Sequence, residues 1–509
     1  MAYLYGASIR GIQGFIFETN RLKEIVGASD LIEWFVSEDF IESILGYKVQ
    51  KDDLLRNAGG NIRLKFKRQE DAQKMVKSLP KTIMQDAYGI TVSQAVVVYE
   101  DTGSGKAYLD AVSALERKLN SARNRASLPL DSKFALMKQC NRTGKPLYKS
   151  ITIEDDKIDF DKGSWQKHED APKAHGNMLL KKLSIDKEQY GSFTLLMSNI
   201  SNAKNKIAVI HADGNKMGLL LQKMKKHLET KSPVEIQKAY KTVSKAIETA
   251  TLKAVKYAYD QTYKSYENTP NIPFRPIVIG GDDLTVVCEA NEAMAFTKIY
   301  LEQFEVYTKK NFAGLVEKYG LEDFQNGLTA CAGIAYTHEK FPFHYAVNLA
   351  EALCGYVKEA SNREASCLAF HNVQSSYFTD YKAYIKKELT IRRDASLLFA
   401  PYYLSSSPSI DALMEACDAF RADGVPLGKF REWLGELHKS TAYAELYMDR
   451  IVSVLDTQTK ATLNEKLKRF FSKMSLLSPF EERDGIKRTP IHEIIQLIAV
   501  TGGKDAAGR

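Results

Sequence analysis

The chain has 509 residues, of which 44% are hydrophobic and 26% charged, with a formal net charge of +8. That length exceeds one hydrophobic core, so about three domains are expected, and the composition excludes a fibre and a disordered chain. The apolar stretches are strand-length and broken by charge, and no basic segment followed by an apolar run stands at the start, so neither a membrane span nor a secretory signal is expected and a cytoplasmic protein is.

Residues 2–9 read as a strand, and helical periodicity follows from Gly11 to about Leu45 with a break expected near Gly27. After the turn signal Ala58-Gly59-Gly60, residues 61–67 read as strand, 69–87 as amphipathic helix and the Val-rich 91–99 as strand. Residues 126–205 are polar and mixed in pattern, include the charged run at 154–157, and read as a small connecting module or mobile insertion.

A similar order then returns. Residues 207–211 form a buried strand, 217–227 and 234–263 are helical, and 275–279 is a strand entering the turn Gly280-Gly281-Asp282-Asp283, with 284–288 as its partner. Helix is expected at 291–319, strand at 328–336, helix at 343–360 and strand at 367–370. The pattern is a degenerate internal repeat of one α+β unit, with a long helical insertion in the second copy. From about 380 to 500 the pattern is helical, and 501–509 is a polar tail. Six cysteines are scattered without paired spacing, so no disulfide framework is expected.

Gly280 and Gly281 before Asp282-Asp283 let the backbone turn tightly and let a triphosphate approach without a β-carbon in the way. Two carboxylates held at the end of a rigid sheet repel one another, and a divalent cation relieves that cost. Asp213 follows the strand 207–211 and is placed beside the hairpin as a third oxygen ligand, which suits Mg²⁺ or Mn²⁺ in nucleotidyl transfer. Gly214 follows it in a turn whose amides can face phosphate. Taken alone, Gly-Gly-Asp-Asp is a hairpin with favourable turn residues; its pairing with Asp213 inside one repeat unit is what points to catalysis.

The second unit, through Asp213-Gly214-Asn215-Lys216-Met217-Gly218 and Gly280-Gly281-Asp282-Asp283, resembles the palm domain of the large, polymerase-like subunit of type III CRISPR effector complexes. That family is related to the GGDEF diguanylate cyclases and makes cyclic oligoadenylates from ATP. Asn215 stands where the family usually has a second Asp. The first unit resembles the family's other palm through residues 8–17 and 22–29, with Gly59-Gly60-Asn61 in place of the acidic hairpin, so it is expected to bind nucleotide or shape the cleft without holding metal. The resemblance implies nucleotide contacts from Gly280, Gly281, Lys358, Asn215, Lys216, Gly214, Lys23 and Ser29, and a catalytic metal site of Asp213, Asp282 and Asp283.

Two family features are absent from the sequence. It has no His-Asp dipeptide, so the family's nuclease domain is expected to be missing, and Cys140-Asn141-Arg142-Thr143 resembles a zinc knuckle whose second cysteine is threonine, so zinc is not expected. The fold expected is α+β: a first ferredoxin-like palm at 1–125, a connector at 126–205, a second palm at 206–375 and a C-terminal helical domain with a polar tail at 376–509. The function implied is metal-dependent conversion of ATP, or another nucleoside triphosphate, to a cyclic oligonucleotide signal in antiviral defence. Guide RNA and other effector subunits are the implied partners, or a homo-oligomer for a standalone member, and no membrane. The rival is a non-catalytic nucleotide-binding scaffold, which Asn215 favours; a template-directed polymerase ranks last, because no basic stripe interleaved with aromatics is present.

Overall fold

Apolar residues alternate along 61–66 and run together along 207–210, and burial follows the same two patterns: every second residue of the first segment is buried, and all four of the second. A strand with one covered face needs the first pattern and a central strand the second. The computed structural model describes residues 1–100, 103–125, 136–153, 156–266, 269–374, 380–391, 395–483 and 485–502. Glu154 and Asp155 of the charged run and residues 503–509 of the tail lie outside the described residues.

The first palm comprises β1 (Ala2–Arg10), α1 (Leu22–Phe35), α2 (Glu38–Leu45), β2 (Leu54–Ala58), β3 (Asn61–Phe66), α3 (Gln69–Asp86), β4 (Thr91–Tyr99) and α4 (Gly105–Arg123). Its antiparallel strands lie in the order β2-β3-β1-β4. Helix α1 does not break at Gly27 as the sequence suggested: it runs through it, and a β-carbon there would stand 1.9 Å from the carbonyl oxygen of Lys167. The glycine admits the connector's backbone against the helix and does not end it.

The connector holds the hairpin of β5 (Lys149–Ile153) and β6 (Asp156–Phe160), followed by short helical turns that include Met178–Lys182. The second palm comprises β7 (Lys206–Gly214), α5 (Met217–Leu228), α6 (Pro233–Thr262), β8 (Phe274–Gly280), β9 (Asp283–Glu289), α7 (Ala293–Phe312), β10 (Ala330–His338), α8 (Phe343–Ala360) and β11 (Cys367–Asn372). The single helix expected at 291–319 ends at Phe312, and a separate turn spans Val316–Tyr319. Helix α6 opens on a capping box in which Ser232 and Glu235 satisfy each other's backbone amides.

The second sheet runs Tyr402–Tyr403, β11, β10, β7, β9, β8. Without the two added strands it reads fourth, first, third, second in chain rank, and so does β4-β1-β3-β2 of the first palm. Both palms are therefore the same ferredoxin-like unit. In each, the helix after the fourth strand (α4 or α8) packs across that strand and the first one.

The C-terminal part contains α9 (Ile410–Arg421), α10 (Leu427–Lys439), α11 (Thr441–Val454), α12 (Thr457–Lys468) and α13 (Ile491–Val500). It is not helical throughout: Thr390–Ile391, Ala395–Ser396, Ile486–Arg488 and Glu481–Arg483 form a small four-stranded sheet. Pieces of two or three residues show no periodicity in a sequence. Among the described residues no helix is long and apolar enough to cross a membrane.

A hydrogen bond from Asn372 to Gln496 joins this part to the second palm, beside the buried His371 and the half-buried His492. Burial pushes His492 of α13 down to about 4, and burial together with the charge of His492 pushes His371 of β11 down to about 3. Both folded values lie below the unfolded value of about 6.5, so their contribution to stability is fully present above that pH and is lost as pH falls toward 4. Glu493, raised to about 7 by burial, acts in the opposite sense, because its contribution declines as pH rises toward 7. A His492→Gln variant is expected to lose less unfolding free energy than the parent between pH 7 and 4.5, by no more than about 3 kcal/mol, as scanning calorimetry would measure.

Candidate active site

Strand β7 carries Asp213 at its end, and the tight β8–β9 turn carries Asp282 and Asp283. The register of β7 and β9 pairs Ala212 with Leu284, and one further step sets Asp213 opposite Asp283. Gly280 pairs with Asp283 across the hairpin, and Gly281 turns it with φ +66°. The three side chains each offer an oxygen, and these lie within 4.8 Å of one another.

Gly214 is what permits this approach. A β-carbon there would stand 2.9 Å from both the β-carbon and a carboxylate oxygen of Asp282. Lys358, near the end of α8, donates to the Asp213 carboxylate and to the Gly214 carbonyl at 2.8 Å. Thr251 of α6, fully buried, donates to the carbonyl of Gly281 at 2.7 Å and braces the turn.

The electrostatics are strained, because one ammonium, Lys358, faces three carboxylates. Burial and then the charge of Asp213 raise Asp282 to about 7, with Lys358 acting the other way. Asp283 still presents surface to solvent, yet loss of hydration among the surrounding protein atoms, then Asp213 and Asp282, raise it to about 8. Tyr300 of α7 lies beneath them, its hydroxyl buried without a hydrogen-bond partner, and burial and the same carboxylates raise it further. Three hard oxygen donors that resist ionising together fit Mg²⁺ or Mn²⁺, and among the described residues this is the only grouping of three or more His, Cys, Asp or Glu side chains close enough for one ion.

The other residues singled out from the sequence lie elsewhere. Asn215 is buried and points away from the carboxylates, donating to Thr329 Oγ1 at 2.9 Å and touching Cys331 Sγ at 3.4 Å. Its replacement of an aspartate therefore takes no ligand from the trio. Lys216 pairs with Glu364, and Lys23 pairs with Glu169 of the connector at 3.0 Å. Ser29 is buried and spends its hydroxyl on the carbonyl of Ile277 at 2.5 Å. In the connector, Cys140 Sγ donates to the carbonyl of Asp159, and Thr143 donates to Asp161.

The first palm shows what the acids have become there. Ser8 stands opposite Asn61, and Ala58 pairs with Asn61 around Gly59-Gly60, so Ser8, Gly60 and Asn61 hold the places of Asp213, Asp282 and Asp283. Arg123, near the end of α4, donates to Ser8 Oγ at 3.0 Å and to Asn61 Oδ1 at 3.4 Å, in the place that Lys358 takes in the other palm. Arg56 and Arg63 face one another on β2 and β3. Arg56 presents surface to solvent, yet loss of hydration among the surrounding protein atoms and then the charge of Arg123 lower it, with Asp282 acting the other way across the seam between the palms. Burial and then the charge of Arg56 lower Arg63 to about 10. Sequence reasoning missed these arginines, because single arginines on strands look like solvated surface. The pseudo-symmetric register is the signal that finds them.

Residues 206–367 match the family profile of the Cas10/Cmr2 second palm domain. Over that span the chain is similar to the Cas10/Cmr2 palm family. No curated protein sequence matches the chain significantly. Among solved structures it is similar to the Csm1–Csm4 cassette in complex with cA4 (13% identity, TM-score 0.51, covering 98% of this chain and 70% of the other). The cassette in complex with cA3 (14%, 0.52, 98% and 69%) and that in complex with AMPPNP (15%, 0.51, 98% and 70%) are similar too. At such identities these likenesses establish the fold alone.

Proposed function

We propose that this chain is a metal-dependent nucleotidyl transferase that condenses ATP into a cyclic oligoadenylate signal in type III CRISPR defence. The observation that carries it is the convergence of Asp213, Asp282 and Asp283, whose oxygens lie within 4.8 Å of one another although the residues are far apart in sequence. These three would hold Mg²⁺ or Mn²⁺, which when bound supplies charge neutralisation and Lewis acidity at a phosphate. The similar cassettes were solved with AMPPNP, cA3 and cA4, which supports adenine nucleotides as substrate and product and a Csm4-like subunit as partner.

The chain's own residues do the positioning. Lys358 fixes the Asp213 carboxylate and the Gly214 carbonyl, so the strand end cannot swing out of the cleft. Gly280 and Gly281 leave room for a phosphate chain beside the turn. Arg56 offers its guanidinium group to phosphate oxygens from the first palm, beside Arg63, which pairs with Glu116, and Arg123, which is held by Ser8 and Asn61. In the reaction a 3′ hydroxyl attacks the α-phosphate of a second nucleotide: the O3′–Pα bond forms, the bond to the β-phosphate breaks, pyrophosphate leaves, and the hydroxyl proton passes to solvent.

Incubating the protein with labelled ATP and Mn²⁺ tests this, with pyrophosphate and cyclic adenylates as the products sought, and with target RNA and partner subunits added in a parallel arm. Calorimetric binding of ATP without pyrophosphate release in either arm would establish the scaffold reading instead. Arg56 has no hydrogen-bond or ion-pair partner among the described residues, so Arg56→Ala is expected to leave folding intact. It should raise the KM for ATP about tenfold, the loss of one charge-assisted contact, with Mn²⁺ affinity unchanged in titration.

A further inference from the structure

Strand β8, which leads into the carboxylate hairpin, is the outer edge of its sheet. An edge strand presents a row of backbone groups with no strand partner. Here the outward carbonyls are taken up by side chains from two other parts of the molecule. Ser29 of α1 donates to the carbonyl of Ile277 at 2.5 Å, and Lys182 of the connector donates to the carbonyl of Ile279, the residue before Gly280, at 3.2 Å.

Both donors are themselves held from several sides. Lys182 also bridges Glu33 of α1 at 3.2 Å and Glu248 of α6 at 2.9 Å, so one ammonium ties the first palm, the connector and the second palm together beside the hairpin. The neighbour of Ser29, Asp30, accepts from the backbone amides of Asn177 and Met178 at 3.0 and 2.8 Å, which fixes the turn that carries Lys182. Arg275, buried on β8, reaches Asn177 from the other side at 2.9 Å. Glycine at position 27 lets this assembly close, because any side chain there would collide with the connector backbone.

We infer that Ser29 and Lys182 are positioning residues of the carboxylate hairpin. Neither touches the three acids; each holds the strand that carries two of them, through a backbone carbonyl. The spacing of Asp282 and Asp283 from Asp213 is thus set across the domain boundary, and a shift of α1 or of the connector against the second palm moves the acids. Partners that orient metal ligands indirectly commonly change metal affinity by about 10–100-fold when removed. This inference rests on the metal-site reading above.

The test compares the parent with Ser29→Ala, Lys182→Met and Lys182→Arg in the full chain, by hydrogen–deuterium exchange and by Mn²⁺ titration without nucleotide. Ser29→Ala removes one hydroxyl and is the mild variant if loss of the buried cation impairs folding. Faster exchange confined to the 274–289 peptide, with the 2–10 peptide unchanged, is expected in Ser29→Ala and Lys182→Met. Mn²⁺ affinity should fall about tenfold in both and be largely restored in Lys182→Arg. Unchanged exchange over 274–289 in Ser29→Ala would overturn the inference, and so would a rise in the KM for ATP with Mn²⁺ affinity intact, which would make Ser29 a nucleotide contact. A parent protein that binds no Mn²⁺ would instead sink the metal-site reading, and the exchange comparison alone would still decide how the hairpin is held.

Discussion

Changing Asp282 and Asp283 together to asparagine is expected to abolish ATP turnover, by at least about a thousandfold, and to make the metal-free protein more stable. The loss follows from removing two of three oxygen ligands. The gain follows from linkage: both carboxylates are raised in the folded state, to about 7 and about 8, above the ordinary value of 3.8. The folded chain then holds protons that the unfolded chain has released, so this contribution falls as pH rises from about 4 to about 8. Asparagine removes the effect, and the variant's melting temperature in EDTA should exceed the parent's by more at pH 8 than at pH 5. Added Mn²⁺ should raise the parent's melting temperature and leave the variant's unchanged.

Gly214→Ala is expected to cost about a hundredfold in turnover, the scale of effect that a misplacement of about 1 Å produces in a catalytic site. The new methyl group would meet the Asp282 β-carbon at 2.9 Å, and that atom belongs to the hairpin's own frame and cannot swing aside like the end of a long side chain. The carboxylates must separate, so Mn²⁺ affinity should fall with the rate. Gly281→Ala provides the contrast. Nothing lies within 4 Å of a β-carbon there, and the substitution meets only the strain of φ +66°, roughly 1 kcal/mol. Its effect on Mn²⁺ affinity should be the smaller of the two.

Much of the fold was legible because the relevant signals are local. The Val-rich strand at Thr91–Tyr99 and the helix at Phe343–Ala360 have the bounds their periodicity suggested, and Gly-Gly-Asp-Asp sits on a strand turn as its residues require. What stayed hidden depends on partners distant in sequence. Gly27 reads as a break because glycine weakens an isolated helix, and only the Lys167 carbonyl lying against it explains why the helix continues. Strand β2 and helix α4 went unread: the first is five residues long with little alternation, while the second carried a legible start in Asp101-Thr102-Gly103-Ser104, whose serine caps the helix. Ser29 and Asn215 carry side chains that suit a nucleotide, but folding spends them on Ile277 and Thr329. Arg123 became interpretable once the two sheets could be aligned strand by strand.

That alignment also shows why only one half of the duplication keeps its acids. The tips of the two hairpins meet backbone to backbone, a β-carbon on Gly280 standing 3.8 Å from the α-carbon of Gly59. A second set of aspartates at Ser8, Gly60 and Asn61 would crowd six like charges around a single gap, with no side chain wide enough to insulate one set from the other. Serine, glycine, asparagine and three guanidinium groups supply the opposite polarity there. The molecule is in effect a heterodimer written on one chain, whose halves could diverge in charge only because they cannot diverge in position.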